Sequence, residues 1–525
     1  MKYFIFRNVT IEPFWGHLDA VFSGYEDISQ IDETAERYVW FYLPPVADNV
    51  AIAEKIRYYA DLLCVAVDKL SQEKMFILCT MRNVFSVQSI ISDRMIDSAI
   101  QAYNSTLYDL AVSNRNIKVI DFAHFLDDFK QEELLDWRYY FISQMGLNPR
   151  MIGDFVLWWN VRIRAIEMKR KKCLILDFDN TLWGGILGED GVDGIALGGD
   201  YPGNSFLLFQ HLILELSNQG VILAVCSKNN MEDVLQLWKK HPDLVLKEEH
   251  FAAMRINWNN KADNIRELSQ ELNLGYDSFV FLDDSPSERE LVKRLLPEVI
   301  VPDFPEQPYL LPAFFKTIAE QYFSGYALTD EDRYKTAQYK TNAQRTQVRQ
   351  SFTNMDEYIR YLEIELTIAE VTDLSLTRAA QMTQKTNQFN LTTRRYTETD
   401  LCRKITTGSR IFTLSVHDRF GDSGTTGLCI VDIKGNLANI DSLLLSCRIL
   451  GKDIEKAFLA YILKTLQSQG IEEVMAEYIP TEKNMQTKDF YEKVGFLPVN
   501  EENRYKLVLS TTIIKLSNNY KFKSI

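Results

Sequence analysis

A short apolar run that ends in two carboxylates constrains this chain more than any other feature. Residues 173–176 read Cys-Leu-Ile-Leu, and Asp177 and Asp179 follow directly. An uninterrupted apolar run of this length is typical of a strand that is buried on both faces of a parallel sheet. In open α/β sheets, ligands bind in the crevice beyond the carboxyl ends of the strands. The pattern therefore favours a functional site at Asp177 and Asp179.

A structural role is the alternative for these two aspartates. Acidic residues after strands commonly form turns or cap helices, and an isolated Asp-x-Asp pair has little specificity. Alternation along an extended backbone separates the two side chains, so they can take different roles around one metal ion. Polar residues at the ends of other strands decide between these alternatives.

Three later segments are predicted to bring polar residues to the same sheet edge. In chain order they are a strand at 221–227 that ends in Cys226 and Ser227, a helix from Lys261 to residue 272, and a strand at 278–282 followed by Asp283 and Asp284. A further short strand is expected at 244–246. Ser227 and Asp284 have helix caps as structural alternatives, and Lys261 can be a solvated helix-start residue. The shared order and context favour one common site.

The ordered set of Asp-x-Asp-x-Thr, serine, lysine and Asp-Asp resembles the four motifs of the haloacid dehalogenase (HAD) superfamily. The resemblance implies a Rossmann-like parallel sheet and Mg²⁺-dependent phosphoryl transfer, in which a cation held by carboxylates neutralises the phosphate. It also implies roles for individual residues: Asp177 as nucleophile and metal ligand, Asp179 as general acid/base and metal ligand, Thr181, Ser227 and Lys261 as substrate binders, and Asp283 and Asp284 as metal ligands.

Residues from roughly 172 to 507 resemble the FkbH-like branch of this superfamily. The string Asp-Asn-Thr-Leu-Trp-Gly-Gly from Asp179 and the string Val-Cys-Ser-Lys-Asn from Val225 carry the likeness. Members of this branch load a glyceryl unit from a phosphorylated three-carbon donor onto an acyl carrier protein, for polyketide-type assembly, or are described as phosphatase-like. The segments between the motifs are too short for a large cap domain, so we expect an open site that accepts a group borne on a protein.

Cys226 has two interpretations. It is either a small buried side chain, or a nucleophile whose thiolate is stabilised by Lys228, Lys261 and a cation and which holds the acyl group as a thioester. Neighbouring residues on a strand face opposite sides, so Cys226 and Ser227 share the site only if the strand has begun to turn.

Residues 1–165 alternate apolar strands with helical patterns and predict a parallel α/β domain. The strands are expected at 3–6, 39–43, 75–79 and 117–121, and the helices at 49–70 and 89–113. This part resembles the degenerate SGNH-like domains that precede some FkbH-type proteins. The first strand continues into Arg-Asn-Val-Thr without the family's serine, and Asp136 lies where its Asp-x-x-His block belongs, without the histidine. A non-catalytic domain is therefore favoured.

Residues 360–510 resemble the acetyltransferase-like (GNAT) α+β fold. Arg448 and Gly451 lie in Arg-Ile-Leu-Gly-Lys-Asp, which resembles the R-x-x-G-x-G/A loop whose amides cradle a pyrophosphate at a helix start. Asp453 stands where glycine or alanine is expected, and a carboxylate there opposes a phosphate. We therefore expect this domain to dock a carrier protein or its phosphopantetheine arm rather than to transfer acetyl groups.

Length and composition fit a multidomain α/β protein. A chain of 525 residues predicts roughly three or four domains. The boundaries expected here are an SGNH-like domain at 1–165, a HAD-like domain at 166–310, a helical linker at 311–359, a GNAT-like domain at 360–510 and a tail at 511–525.

The net charge of −14 disfavours nucleic acid as a partner. The 7 cysteines form no C-x-x-C pair, which indicates free thiols in a reducing compartment. No apolar stretch is long enough to span a membrane, so we expect a cytoplasmic protein without membrane contact.

The leading hypothesis is an Mg²⁺-dependent enzyme that takes a phosphorylated small-molecule donor and moves its acyl group to the thiol of an acyl carrier protein. One alternative is a small-molecule phosphatase. Another is a carrier-binding scaffold or a GNAT-type acyltransferase.

Overall fold

The computed structural model describes residues 1–70, 74–84, 94–167, 169–326, 338–339, 341, 345, 348–349, 351–446, 449–499 and 503–524. The chain is a multidomain α/β protein, as the sequence predicts. It divides into two compact units, of which unit 1 comprises residues 1–166 and 397–403, and unit 2 comprises residues 167–396 and 404–525. No helix within the described ranges is both long and apolar enough to cross a membrane.

Unit 1 is built on a five-stranded parallel sheet in the order β2-β1-β3-β4-β5. Its strands are β1 Lys2–Arg7, β2 Asp19–Tyr25, β3 Arg37–Phe41, β4 Met75–Cys79 and β5 Ile117–Ile120. Its helices are α1 Asn49–Lys69, α2 Met95–Ser113, α3 Phe122–Asp127, α4 Gln131–Leu134, α5 Trp137–Ser143 and α6 Ile152–Ile166. Ile5 and Val39 belong to the core on one face, and Phe6 and Trp40 to the core on the other. Burial on both faces explains the uninterrupted apolar runs.

A four-stranded parallel sheet, here called the central sheet, begins unit 2. Its order is β8-β7-β6-β9, with strands β6 Cys173–Leu176, β7 Ile222–Ser227, β8 Ala253–Ile256 and β9 Phe279–Leu282. The helices of this region are α7 Leu187–Asp190, α8 Gly203–Asn218, α9 Met231–Lys240, α10 Lys261–Leu272, α11 Pro286–Leu295 and α12 Leu311–Ile318. Because β6 lies between β7 and β9, Asp177 follows a strand that has a neighbour on each side.

The connections between the strands of the central sheet are short. All of residues 169–326 are described, and the connections within them contain α7 to α10 with short turns and no additional domain. The connections between the strands at 169–326 therefore contain no cap domain, as the spacing of the motifs predicts.

The remaining described residues of unit 2 form a nine-stranded mixed sheet. Its strands are β10 Glu365–Glu370, β11 Phe389–Asn390, β12 Arg410–Asp418, β13 Gly421–Lys434, β14 Leu437–Leu445, β15 Glu473–Glu477, β16 Leu497–Pro498, β17 Arg504–Val508 and β18 Lys521–Ser524. The path is β16-β17-β15-β14-β13-β12-β10-β18, and β11 pairs with β14. Helices of unit 2 lie at Met355–Leu362, Asp373–Lys385, Ile454–Ser468 and Phe490–Lys493, and the helix Glu398–Thr406 begins among the residues of unit 1 and ends in unit 2. The mixed sheet with interspersed helices agrees with the predicted α+β character.

The expected strand at 244–246 is wrong, and a buried side chain explains why. Gln210 on α8 is fully buried, and its Oε1 accepts hydrogen bonds from the backbone N–H groups of Val245 (3.1 Å) and Leu246 (3.0 Å). These amides are thus bound by a side chain rather than by a neighbouring strand, and the fourth strand is β8 instead. Gln210 Nε2 also donates to the carbonyl oxygen of Leu182 at 2.8 Å. One side chain thereby joins the segment after Asp179 to the segment before β8.

We expect Gln210→Leu to destabilise this region by about 3 kcal/mol, because three buried backbone groups lose their partner and each unsatisfied group costs about 1–3 kcal/mol. Hydrogen exchange at the amides of Val245 and Leu246 measures the effect locally. The matched control is Gln219→Leu, since Gln219 is exposed and its side chain contacts only Glu215 on the same helix. If the amides of Val245 and Leu246 exchange as slowly in Gln210→Leu as in Gln219→Leu, the assignment of their hydrogen bonds to Gln210 is wrong.

Candidate metal and phosphate site

Three carboxylates converge at the carboxyl edge of the central sheet. One oxygen atom of each of Asp177, Asp283 and Asp284 lies within 4.8 Å of the others. Asp177 directly follows β6 and Asp283 directly follows β9, and the backbone N–H of Asp177 donates to the carbonyl oxygen of Leu282 at 3.0 Å. Parallel pairing of β6 with β9 thus brings together residues that are more than 100 positions apart. Hard oxygen donors in this arrangement fit a magnesium ion.

Lys261 lies between two of these carboxylates. Its Nζ is 2.9 Å from Asp177 Oδ1 and 2.5 Å from Asp283 Oδ2, and all three side chains are buried. The position follows from the start of α10, where the side chain of Asn260 accepts a hydrogen bond from the N–H of Ala262 at 2.8 Å. Sequence motifs placed Lys261 at this helix start, and the structure confirms that placement.

The electrostatics of the cluster are set by burial and by the mutual charges. Burial raises the pKa of Asp177, against the opposing effect of Lys261, and burial together with the nearby Asp177 raises the pKa of Asp283. Burial by itself lowers the pKa of Lys261. The charges and hydrogen bonds of Asp177 and Asp283 have a larger effect together and raise that pKa above its usual value. One ammonium group faces three carboxyl groups, so the cluster keeps an excess of negative charge when they are ionised. A divalent cation suits that excess.

Ser227 and Thr181 lie at the edges of the carboxylate cluster. The hydroxyl of Ser227, which is buried at the end of β7, hydrogen-bonds Asp177 and so opposes the rise that burial causes in the pKa of that carboxyl. Thr181 Oγ1 accepts a hydrogen bond from the backbone N–H of Asp284 at 3.2 Å. Thr181 therefore orients the Asp283-Asp284 loop, and its predicted contact with substrate stays a prediction.

Asp179 is turned away from the three clustered carboxylates. Its Oδ1 accepts hydrogen bonds from Trp183 Nε1 (2.9 Å) and from the N–H of Leu187 (3.0 Å), and its Oδ2 accepts one from Asn229 Nδ2 (2.9 Å). Asn180, which directly follows Asp179, has a left-handed φ of 52°, which redirects the chain at this point. The candidate cluster therefore excludes Asp179, and its roles as metal ligand and general acid/base stay predictions.

Cys226 faces the apolar side of the central sheet. Its side chain belongs to the same core cluster as Cys173 and Ile175, and its Sγ lies 3.7 Å from the carbonyl oxygen of Lys261. Burial raises the pKa of the Cys226 thiol to about 12, against the opposing effect of Lys261. The covalent relay through Cys226, which the sequence analysis assigns to a thiolate near a bound cation, stays a prediction.

Arg289 holds the loop of Asp283 and Asp284 and was missed by the sequence motifs. Its Nη1 donates to the backbone carbonyl oxygens of Asp283 (2.9 Å) and Asp284 (2.6 Å). Within the same loop, the N–H of Ser285 donates to Asp283 Oδ1 at 2.9 Å. Arg289 is the fourth residue of α11, and both of its bonds go to backbone carbonyls, so no side-chain motif marks its role in the sequence.

Outside the central sheet, residues that the sequence analysis compared with the SGNH-like motifs make structural hydrogen bonds. In unit 1, the side chain of Asn8 donates to the carbonyl oxygen of Leu43 (2.7 Å) and accepts from its N–H (3.0 Å). Asn8 thus links the segments that follow β1 and β3. Asp136 caps α5 by accepting from the N–H of Arg138 at 3.0 Å. The non-catalytic role of this domain stays a prediction.

The predicted pyrophosphate loop is described in part. Arg448 lies outside the described residues. Gly451 has a φ of 78°, a conformation that favours glycine, and Asp453 has a φ of 56°. The carboxylate of Asp453 is paired with Lys456 at 2.8 Å on the helix that follows. Binding of a cofactor by Arg448 and Gly451 stays a prediction.

Comparison with known proteins adds one substantial likeness. No protein-family model and no curated protein matches the chain. Among solved structures, the amino-terminal part of a Bacteroides fragilis protein, which contains a phosphatase domain and was crystallised with Mg, is 26% identical, with a TM-score of 0.54 over 62% of this chain and 95% of that one.

Two acetyltransferases match a smaller part of the chain. A GNAT-family acetyltransferase from Staphylococcus aureus is 12% identical, with a TM-score of 0.22 over 27% of this chain and 99% of its own. An N-acetyltransferase from Thermoplasma acidophilum in complex with coenzyme A is 19% identical, with a TM-score of 0.21 over 27% of this chain and 96% of its own.

We expect Arg289→Leu to weaken Mg²⁺ binding by about tenfold, because residues that orient metal ligands typically contribute 10–100-fold to affinity. Titration calorimetry with Mg²⁺ measures the change without any assay of activity. Arg294→Leu is the control, since Arg294 is exposed on the same helix. An unchanged dissociation constant in Arg289→Leu would show that the loop holds its shape without this side chain.

Proposed function

We propose that this chain is an Mg²⁺-dependent enzyme of the HAD type that releases phosphate from a small phosphorylated donor. The observation that carries the proposal is the convergence of Asp177, Asp283 and Asp284 around Lys261 at one sheet edge. The likeness to a structure that contains a phosphatase domain and Mg supports it.

The cluster has the parts that phosphoryl chemistry needs. Asp177, Asp283 and Asp284 would hold Mg²⁺, which when bound supplies neutralisation of the phosphate charge. In phosphate hydrolysis, the carboxylate of Asp177 attacks the phosphorus atom and the leaving group departs on the opposite side. Lys261 and Ser227 donate hydrogen bonds to phosphate oxygens. Asp179, two residues from the nucleophile, takes the proton of the water that then releases phosphate.

We further propose the FkbH-like reaction, in which an acyl phosphate gives its acyl group to the thiol of a carrier protein. In this reaction the thiol sulfur attacks the acyl carbon, the carbon–oxygen bond to phosphate breaks, and inorganic phosphate leaves. Attack on phosphorus would instead release a free acid and lose the activated acyl group. The lack of a cap domain in the strand connections at 169–326, which suits a protein-borne thiol as acceptor, supports this reaction.

Cys226 is not part of this proposed route. Its thiol lies in the apolar cluster on the opposite face of β7, so the carrier thiol is the better candidate for attack on the acyl carbon. The covalent relay stays a separate prediction, which would show itself as donor-derived mass on the enzyme that is absent from Cys226→Ala.

We expect Asp177→Asn to reduce phosphate release by about 10³-fold or more, as replacement of a nucleophile or central ligand typically does. Chelation of Mg²⁺ should have the same effect and should be reversed by added Mg²⁺. Release of phosphate from p-nitrophenyl phosphate or an acyl phosphate is the measurement. Asp263→Asn serves as control because Asp263 is exposed on α10 and pairs with Arg266. Normal turnover in Asp177→Asn would exclude the HAD mechanism and favour the scaffold.

The acceptor is identified by the mass of candidate carrier proteins after incubation with enzyme, Mg²⁺ and an acyl phosphate of glyceric acid as donor. We expect phosphate release to be accompanied by a glyceryl mass increase on the phosphopantetheine arm of one carrier. Phosphate release with the free acid as the other product, and with no carrier gaining mass, would favour the phosphatase.

A further inference from the structure

An ion pair spans the strand end that carries Asp177. Lys228 is the first residue after β7, and Glu288 lies in the first turn of α11, after β9. Lys228 Nζ is 2.6 Å from Glu288 Oε1. Because β6 lies between β7 and β9, a bond between these two residues passes over the end of β6. The pair therefore lies beside the proposed phosphate position.

The two side chains of this pair differ in their exposure to solvent. The Glu288 side chain is 16% exposed, and the Lys228 side chain is 37% exposed. Within the described residues, Glu288 Oε2 is buried and has no hydrogen-bond partner. A buried carboxylate oxygen without a partner is uncommon in proteins and calls for an explanation, such as a ligand group that completes its bonding.

The two side chains together offer complementary bonding to a hydroxyl group. A carboxylate oxygen accepts the hydroxyl proton, and an ammonium group has three N–H donors, of which one or more can reach the hydroxyl oxygen. The terminal torsion of a glutamate side chain is soft, so a small rotation presents either oxygen to a ligand. A plain alkyl chain would leave both of these groups without new partners.

We propose that Lys228 and Glu288 select the organic part of the phosphorylated donor by binding a hydroxyl group close to its phosphate. The proposal rests on the proposed function, since it assumes that the phosphate lies at Asp177 and Lys261. The pair favours hydroxylated phosphate esters, such as those of short polyols, over alkyl phosphates of equal length. Lys228 and Glu288 act here as specificity-determining residues and take no part in bond breaking.

Binding to an inactive protein tests this selection directly. In the Asp177→Asn background with Mg²⁺ present, calorimetry gives the dissociation constants of glycerol 3-phosphate and propyl phosphate. We expect glycerol 3-phosphate to bind about tenfold more tightly or better, since sites built for a hydroxyl discriminate strongly against analogues without it. Glu288→Met and Lys228→Met, each added to this background, should bring the two dissociation constants to within about threefold of each other.

Glu290→Met is the matched control, because Glu290 is an exposed glutamate on the same helix, and it should keep the preference. If Glu288→Met does not fold, Lys228→Met alone decides. Equal affinities for the two esters before the second substitution, no binding of either ester, or a preference that survives loss of either partner would each overturn the proposal.

Failure of this proposal is distinguishable from failure of the proposed function. If the protein with Asp177 intact releases no phosphate from any ester while the Glu288-dependent preference persists, the selection stands and the reaction is wrong. If phosphate is released but the preference is absent, the reaction stands and the selection is wrong.

Discussion

The contact of Lys261 with Asp177 and Asp283 is the interaction on which the rest of the central domain depends. Carboxylates that are buried and close together repel one another and lose hydration, so an uncompensated cluster would destabilise the fold. A single buried ammonium group, placed by the first turn of α10, offsets part of this cost. The remaining negative charge makes the site receptive to a cation. The same three side chains therefore bear on the stability of the domain and on the metal recognition that the proposed function requires.

The sequence predicts the framework of the site because the framework follows from local patterns. Apolar runs on β6, β7 and β9 specify strands buried on both faces, and parallel packing brings their carboxyl ends to one edge. Asp177, Ser227 and Asp283 could be placed on that basis alone. Strand alternation also predicts that Cys226 and Ser227 lie on opposite faces of β7.

The remaining contacts of the site depend on tertiary packing that no local pattern encodes. The orientation of Asp179 is decided by Trp183 and Asn229. Trp183 lies in the segment at 182–191, here called the flap, and Asn229 lies in the loop after β7. The two bonds of Arg289 go to backbone carbonyls, which are the same in every sequence and leave no motif. The false strand at 244–246 has the same origin, since Gln210 lies more than 30 residues away.

The anchoring of the flap by Gln210 also bears on the kinetics of an uncapped site. The flap follows Asp179, and its backbone at Leu182 is bound to a fully buried side chain of α8. Trp183, the next residue, is also buried, and its ring stacks on Phe178. In many enzymes the release of product is limited by the opening of a lid. Because Leu182 and Trp183 are tied to the core, the residence time of a bound phosphate would depend on the phosphate's own contacts rather than on motion of these two residues.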